Sequence, residues 1–169
     1  MKHNHNKEFF SNIEYANKNL NLSNIDKFAK ILLETRKKNG SLFIIGVGGS
    51  AANSSHAVND FRKICGIKAY AATDNIAEVT ARTNDEGWES IFVDWLKVFN
   101  ISKNDCLLVF SVGGGNLKKK ISVNIVNAIK FAKKNQVKVL SILGRDDGYA
   151  AKNSSETIII KTKNKKLIT

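Results

Sequence analysis

At 169 residues, with 43% hydrophobic and 25% charged side chains, the chain has the size of one domain and a globular balance, which excludes a disordered chain. No apolar run approaches the roughly 20 residues of a membrane span, and the opening MKHNHNKEFF lacks a secretory apolar segment, so a cytoplasmic protein is expected. The formal charge of +12 comes from 23 lysines and 4 arginines, dispersed over predicted helices apart from residues 118–120 and the terminal KTKNKK. Without interleaved aromatics this pattern argues against a nucleic-acid partner and suits the attraction of anionic metabolites.

The first 40 residues predict a helical hairpin. Phe9, Phe10, Ile13, Ala16 and Leu20 form one apolar stripe. Ser23 followed by Asp26 resembles a capping box that opens a second helix carrying Ile25, Phe28, Ala29, Leu32 and Leu33, closed by Asn39-Gly40. The period then changes. Short continuous apolar runs at 41–46, 68–72, 106–110, 137–143 and 157–160 have the form of buried parallel strands. Helical segments separate them at 50–64, 74–83, 88–99 and 121–135, with a short one after Gly148. The alternation predicts an α/β fold: a five-stranded parallel sheet with helices on both faces, preceded by the hairpin. The division is 1–40 for the N-terminal helices, in packing and oligomer contacts, and 41–169 for the α/β unit, one structural domain overall. Cys65 and Cys106 have no CxxC partner and read as reduced, half-buried thiols.

In an open parallel sheet, ligands bind beyond the carboxyl ends of the strands. Gly46-Val47-Gly48-Gly49-Ser50 follows the first strand and enters a helix, where backbone amides and the helix N-terminus favour an anion. A tight structural turn explains such a loop equally well when it stands alone. Ser111-Val112-Gly113-Gly114-Gly115-Asn116 repeats the arrangement after the third strand, and two such loops converge on one point. Gly144-Arg145-Asp146-Asp147-Gly148 follows the fourth strand, with Arg145 at the ligand edge or in an ordinary polar connection. No acidic residue ends the second strand and no Walker lysine is present, so no nucleotide cofactor is expected. His56 and Asp60, four residues apart on one helix face, suit an acid–base pair, half a metal site, or a surface ion pair. Asn84-Asp85, placed after the helix that follows strand two, suits a grip on sugar hydroxyls or a helix-ending turn.

The runs GVGGSAANSSHAVND, TARTNDEGWESIF, SVGGGN and LGRDDG, in this order, resemble the sugar isomerase (SIS) domain family over residues 9–160. Within it they are most similar to the phosphoheptose isomerases, which convert sedoheptulose 7-phosphate into a heptose 7-phosphate for bacterial surface glycans. The resemblance implies a SIS-type, flavodoxin-like fold, aldose–ketose isomerisation through an enediol, and a homotetramer with sites at subunit borders. Carried over residue by residue, it implies phosphate contacts from Ser50 and Ser111; the loop positions Gly48, Gly49, Gly113, Gly114, Gly115 and Asn116 complete the expected grip through their backbone amides. It implies His56 as a metal ligand, with zinc the candidate metal. Asp60 stands where the family has a glutamate acting as base and metal ligand, and Asn84 and Asp85 would face the sugar hydroxyls. Departures accompany the match. Val47 replaces the family's Asn, and Val112, Gly113, Gly115 and Asn116 replace Thr, Ser, Asn and Ser. Extra residues near 117–121 precede the next helix, and KTKNKKLIT stands where the family continues into a helix bearing a Gln and a His. A sugar-phosphate-binding SIS protein without turnover is the alternative expectation.

Overall fold

The alternation of strand-like and helical runs becomes one parallel sheet with the order β2-β1-β3-β4-β5. The computed structural model describes residues 2–164, so the last five residues of the expected 41–169 unit, with the end of the basic KTKNKK run, lie outside the described residues. The order along the chain is α1 (Lys2–Lys18), α2 (Leu22–Lys37), β1 (Ser41–Ile45), α3 (Gly49–Lys63), β2 (Lys68–Ala71), α4 (Ile76–Glu86) and α5 (Ile91–Val98). It continues with β3 (Cys106–Ser111), α6 (Val123–Lys134), β4 (Lys138–Leu143), α7 (Tyr149–Asn153) and β5 (Glu156–Ile159).

The continuous apolar runs are divided by the pleat between two cores. Leu42, Ile44, Ala69, Ala71, Cys106, Leu108 and Leu140 pack on one face against Phe28 of α2 and Val58 of α3. Phe43, Ile45, Leu107, Val109, Val139 and Leu143 pack on the other against Phe92, Trp95 and Leu96 of α5 and Ile125 and Ile129 of α6. The register makes this consistent across strands, with Leu42 opposite both Ala69 and Cys106, and Phe43 opposite both Tyr70 and Leu107. Each fully buried large aliphatic contributes about 1.5–3 kcal/mol, so both helical layers are held firmly.

Several element ends differ from the sequence reading. Helix α2 starts at Leu22, because Asn21 rather than Ser23 caps it by accepting the N–H of Asn24. Helix α4 runs through Asn84 and Asp85 to Glu86, so this pair is helical and does not follow the helix. The cause is Arg82, which binds Glu78 at 2.9 Å and Glu86 at 3.3 Å and ties three turns together. Gly87, at φ 87°, then ends the helix, and α5 begins only at Ile91. Helix α6 begins at Val123, because Asn116 and Ile121 pair as a small hairpin ahead of it. The stripe foreseen on α1 stays largely uncovered, with Phe9, Phe10 and Ile13 exposed and Ala16 buried. No helix among the described residues is long and apolar enough to cross a membrane.

Candidate functional site

In this strand order the chain leaves β1 towards β2 on one side and returns to β3 on the other. The carboxyl ends of β1 and β3 therefore form the switch point where open α/β sheets bind ligands. Both glycine loops leave from there. They enclose a cleft of about 350 Å3, lined by Ser50, Ser111, Gly113, Gly115 and Asn116 from the two loops and by Arg145 from the third.

The first loop reaches this cleft through Gly48, whose φ of 62° and ψ of −126° place it where a side chain is strained. That turn aims the N-terminus of the 15-residue helix α3 at the cleft, and the amide of Gly49 makes no hydrogen bond within the described chain. Ser50 follows, with a hydroxyl free of partners among the described residues.

The second loop is fixed from behind. The carbonyls of Val112, Gly114 and Gly115 accept the N–H groups of Gly144, Ala150 and Tyr149 at 3.1, 2.9 and 2.8 Å. Gly115, at φ 79°, also lies so close to Val126 that a Cβ would stand 2.7 Å from Cγ2. The amides of Gly113 and Gly115 are left without acceptors among the described residues. Ser111 Oγ accepts the N–H of Gly114 at 3.0 Å, which leaves its own hydrogen to donate. Unpaired amides and hydroxyl hydrogens on a small concave surface have the donor chemistry that suits an anion.

The cleft continues along α3. A second depression shares Ser50, Ser111 and Val112 with it and adds Asn53; a third, of about 500 Å3, contains Asn53, His56 and Asp60 beside Phe61, Phe110 and Ile160. His56 Nε2 lies 3.3 Å from Asp60 Oδ2, and the side chains are 79% and 46% exposed. The structure therefore brings Ser50, Ser111, Gly113, Gly115 and Asn116 together, and joins His56 and Asp60 to them through Asn53. Gly49 lines the second depression. Gly48 and Gly114 shape the loops from outside the cleft lining, with Gly114 buried against Ala150 and Leu143.

Asn84 and Asp85 are not brought into this groove. They are exposed on α4, with Asn84 Nδ2 donating to Asp85 Oδ1 at 2.7 Å, and they line none of the three depressions. Sequence reasoning also missed residues. Ser122 and Lys119 line the cleft because the 116–121 hairpin folds back over it. The signal was present in Ser122, a serine directly ahead of the apolar period of α6. Asn53 was legible as the residue one turn beyond Ser50 on the face shared with Asp60. Two residues beyond Ser122, Asn124 is fully buried and its Nδ2 has no partner among the described residues, a cost of about 1–3 kcal/mol.

A family model of the SIS domain matches residues 8–144. The chain belongs to the SIS domain family. Among curated SIS relatives, the phosphoheptose isomerase of Helicobacter pylori is 30% identical over 163 residues, covering 91% of this chain and 80% of the relative. That of Leptospira biflexa is 34% identical over 148 residues, covering 82% and 71%. The solved phosphoheptose isomerase of Neisseria gonorrhoeae superposes with a TM-score of 0.79 at 24% identity, over 95% of this chain and 83% of that one. It confirms the five-stranded SIS fold with its N-terminal helices.

The zinc expectation for this SIS domain can be tested on its donors. His56 and Asp60 are two, and no cluster of three His, Cys, Asp or Glu side chains exists among the described residues. Zinc takes three or four protein ligands. These residues alone do not make a zinc site.

Proposed function

We propose that this SIS domain isomerises a phosphosugar, converting sedoheptulose 7-phosphate to a heptose 7-phosphate for surface-glycan heptose synthesis. The observation that carries the reading is the continuous groove from the anion seat at Ser50 to the His56–Asp60 pair. Ser50 and His56 are six residues apart on α3, about 9 Å along the axis. An extended seven-carbon sugar phosphate spans about 9 Å from phosphorus to C2, at about 1.25 Å of advance per bond. A phosphate held at the loops thus presents its C1–C2 end to the pair. The names of the relatives point to the same substrate.

The phosphate seat supplies remote binding energy, and the groove turns it into orientation of the reacting carbons. Asp60 takes the proton from C1 as His56 protonates the C2 carbonyl oxygen, which forms the enediol. Return of a carbon-bound proton at C2, with loss of the C1 hydroxyl proton, leaves the aldehyde. A carboxylate and an imidazole share this work well because one accepts and the other donates. Asn53, midway along the groove, faces the sugar hydroxyls in this reading.

The assembly forms part of the proposal. A homotetramer covers the exposed Phe9, Phe10 and Ile13 of α1, with the 1–40 helices as the contact layer. Neighbouring subunits then complete the open side of the groove, where Asn84 and Asp85 would meet a sugar. A cytoplasmic location suits a substrate that its phosphate keeps from crossing membranes. Incubation with sedoheptulose 7-phosphate should yield heptose 7-phosphate and raise the melting temperature. Stabilisation without product, with and without added zinc, would overturn turnover and leave a sugar-phosphate sensor.

A further inference from the structure

The second loop lines the cleft with Gly113 and Gly115, and its neutral amides, like the serine hydroxyls beside them, carry no formal charge. Cationic charge nevertheless reaches the cleft from two sides. Lys119 enters from the 116–121 hairpin and Arg145 from the turn after β4. Neither side chain has an ion pair or hydrogen bond within the described chain, although Asp147 also lines the cleft.

The hairpin is built to hold Lys119 there. Asn116 and Ile121 exchange two backbone hydrogen bonds, at 2.8 and 3.0 Å. Asn116 Oδ1 accepts the N–H of Lys119 at 3.0 Å, and Lys120 turns the chain at φ 51°. Lys118, Lys119 and Lys120 are consecutive, yet only Lys119 lines the cleft. A solvated charge run has no reason to be folded this way.

We propose that Lys119, with Arg145 opposite, is the charge-bearing half of the phosphate seat, so that this chain selects a phosphate dianion by charge as well as by neutral donors. The hairpin is then a binding element rather than a loop extension. The inference rests on the phosphosugar reading for its substrate but not for its anion.

The test measures binding of inorganic phosphate, and kcat and KM for sedoheptulose 7-phosphate, in the full chain and in Lys119→Gln, Lys119→Arg and Lys118→Gln. Loss of one charge-assisted contact should weaken phosphate binding and raise KM about tenfold in Lys119→Gln, with kcat within about twofold. Lys119→Arg should retain most of the affinity, and Lys118→Gln should stay within about twofold of the parent. Equal losses in Lys118→Gln and Lys119→Gln would reduce the effect to the general positive field and overturn the proposal. So would unchanged phosphate affinity in Lys119→Gln. A parent protein that binds phosphate through Lys119 but makes no heptose phosphate would uphold this inference while removing the isomerase reading.

Discussion

Gly113 and Gly115 lie two residues apart in one loop, and the structure predicts opposite consequences for the same substitution. At Gly113 the φ is not in the left-handed region, and an added Cβ meets nothing within 4 Å. Gly113→Ala should therefore fold normally and gain about 0.4–1 kcal/mol by restricting the unfolded chain. Its methyl group, however, occupies the open space of a cleft of about 350 Å3, where the phosphate is proposed to sit. At Gly115 the φ is 79° and the Cβ would stand 2.7 Å from Val126 Cγ2. A left-handed alanine costs about 1–2 kcal/mol, and overpacking adds about 1–3 kcal/mol. Gly115→Ala should thus lose about 2–5 kcal/mol of stability. Urea unfolding measures the first quantity, and calorimetric titration with inorganic phosphate measures the second. Gly113→Ala should keep its stability and lose at least about tenfold in phosphate affinity, since even one displaced charge-assisted contact is worth that much. Unaltered affinity in a well-folded Gly113→Ala would refute the placement of the anion. A Gly113→Ala protein less stable than Gly115→Ala would refute the loop geometry itself.

Two further outcomes follow from the same groove and core. Asp60→Asn keeps the shape of the proposed base and removes its proton acceptance; kcat for sedoheptulose 7-phosphate should fall about 100-fold or more, with phosphate affinity unchanged. Full activity in Asp60→Asn would remove this residue from the reaction. Cys106 is completely buried in β3, and burial pushes its thiol far above the ordinary range, with the neighbouring Asp105 carboxylate adding to the shift. The folded thiol stays neutral while the unfolded one ionises, so stability is intact below about pH 8.5 and declines above it by up to about 1.4 kcal/mol per pH unit. Denaturation curves from pH 7 to 10 should show this slope in the parent and a shallower one in Cys106→Ala; equal slopes would contradict the assignment.

The strands and both glycine loops were legible because their signals are local. A continuous apolar run with glycines at or just past its end reads as a buried strand leaving for a ligand loop, as at 41–46 before Gly48-Gly49 and at 106–110 before Gly113-Gly114-Gly115. The order of strands was not legible in any local signal and came only with the flavodoxin-like fold that the resemblance implies. Nothing local distinguishes the neighbour of β1 at β3 from any other pairing, yet that adjacency creates the cleft. Asn84 and Asp85 were misplaced for a similar reason, since the Arg82 bridges that prolong α4 depend on side chains spread over three turns. Lys119 was hidden by the hairpin, which closes through backbone bonds between residues five apart and leaves no mark in hydrophobic periodicity. The His56–Asp60 pairing was readable from helical spacing alone, and the structure adds its continuity with Ser50 through Asn53.

The three carbonyls of the second loop held by Gly144, Tyr149 and Ala150 bear on how quickly a ligand is captured. Because the loop is immobilised during folding, an arriving anion need not organise it, and little ordering entropy is lost on encounter. Capture then approaches the rate set by diffusion and by the protein's positive field. Differences between good and poor ligands would accordingly show in how long they stay rather than in how fast they arrive. A seat of this kind discriminates on departure.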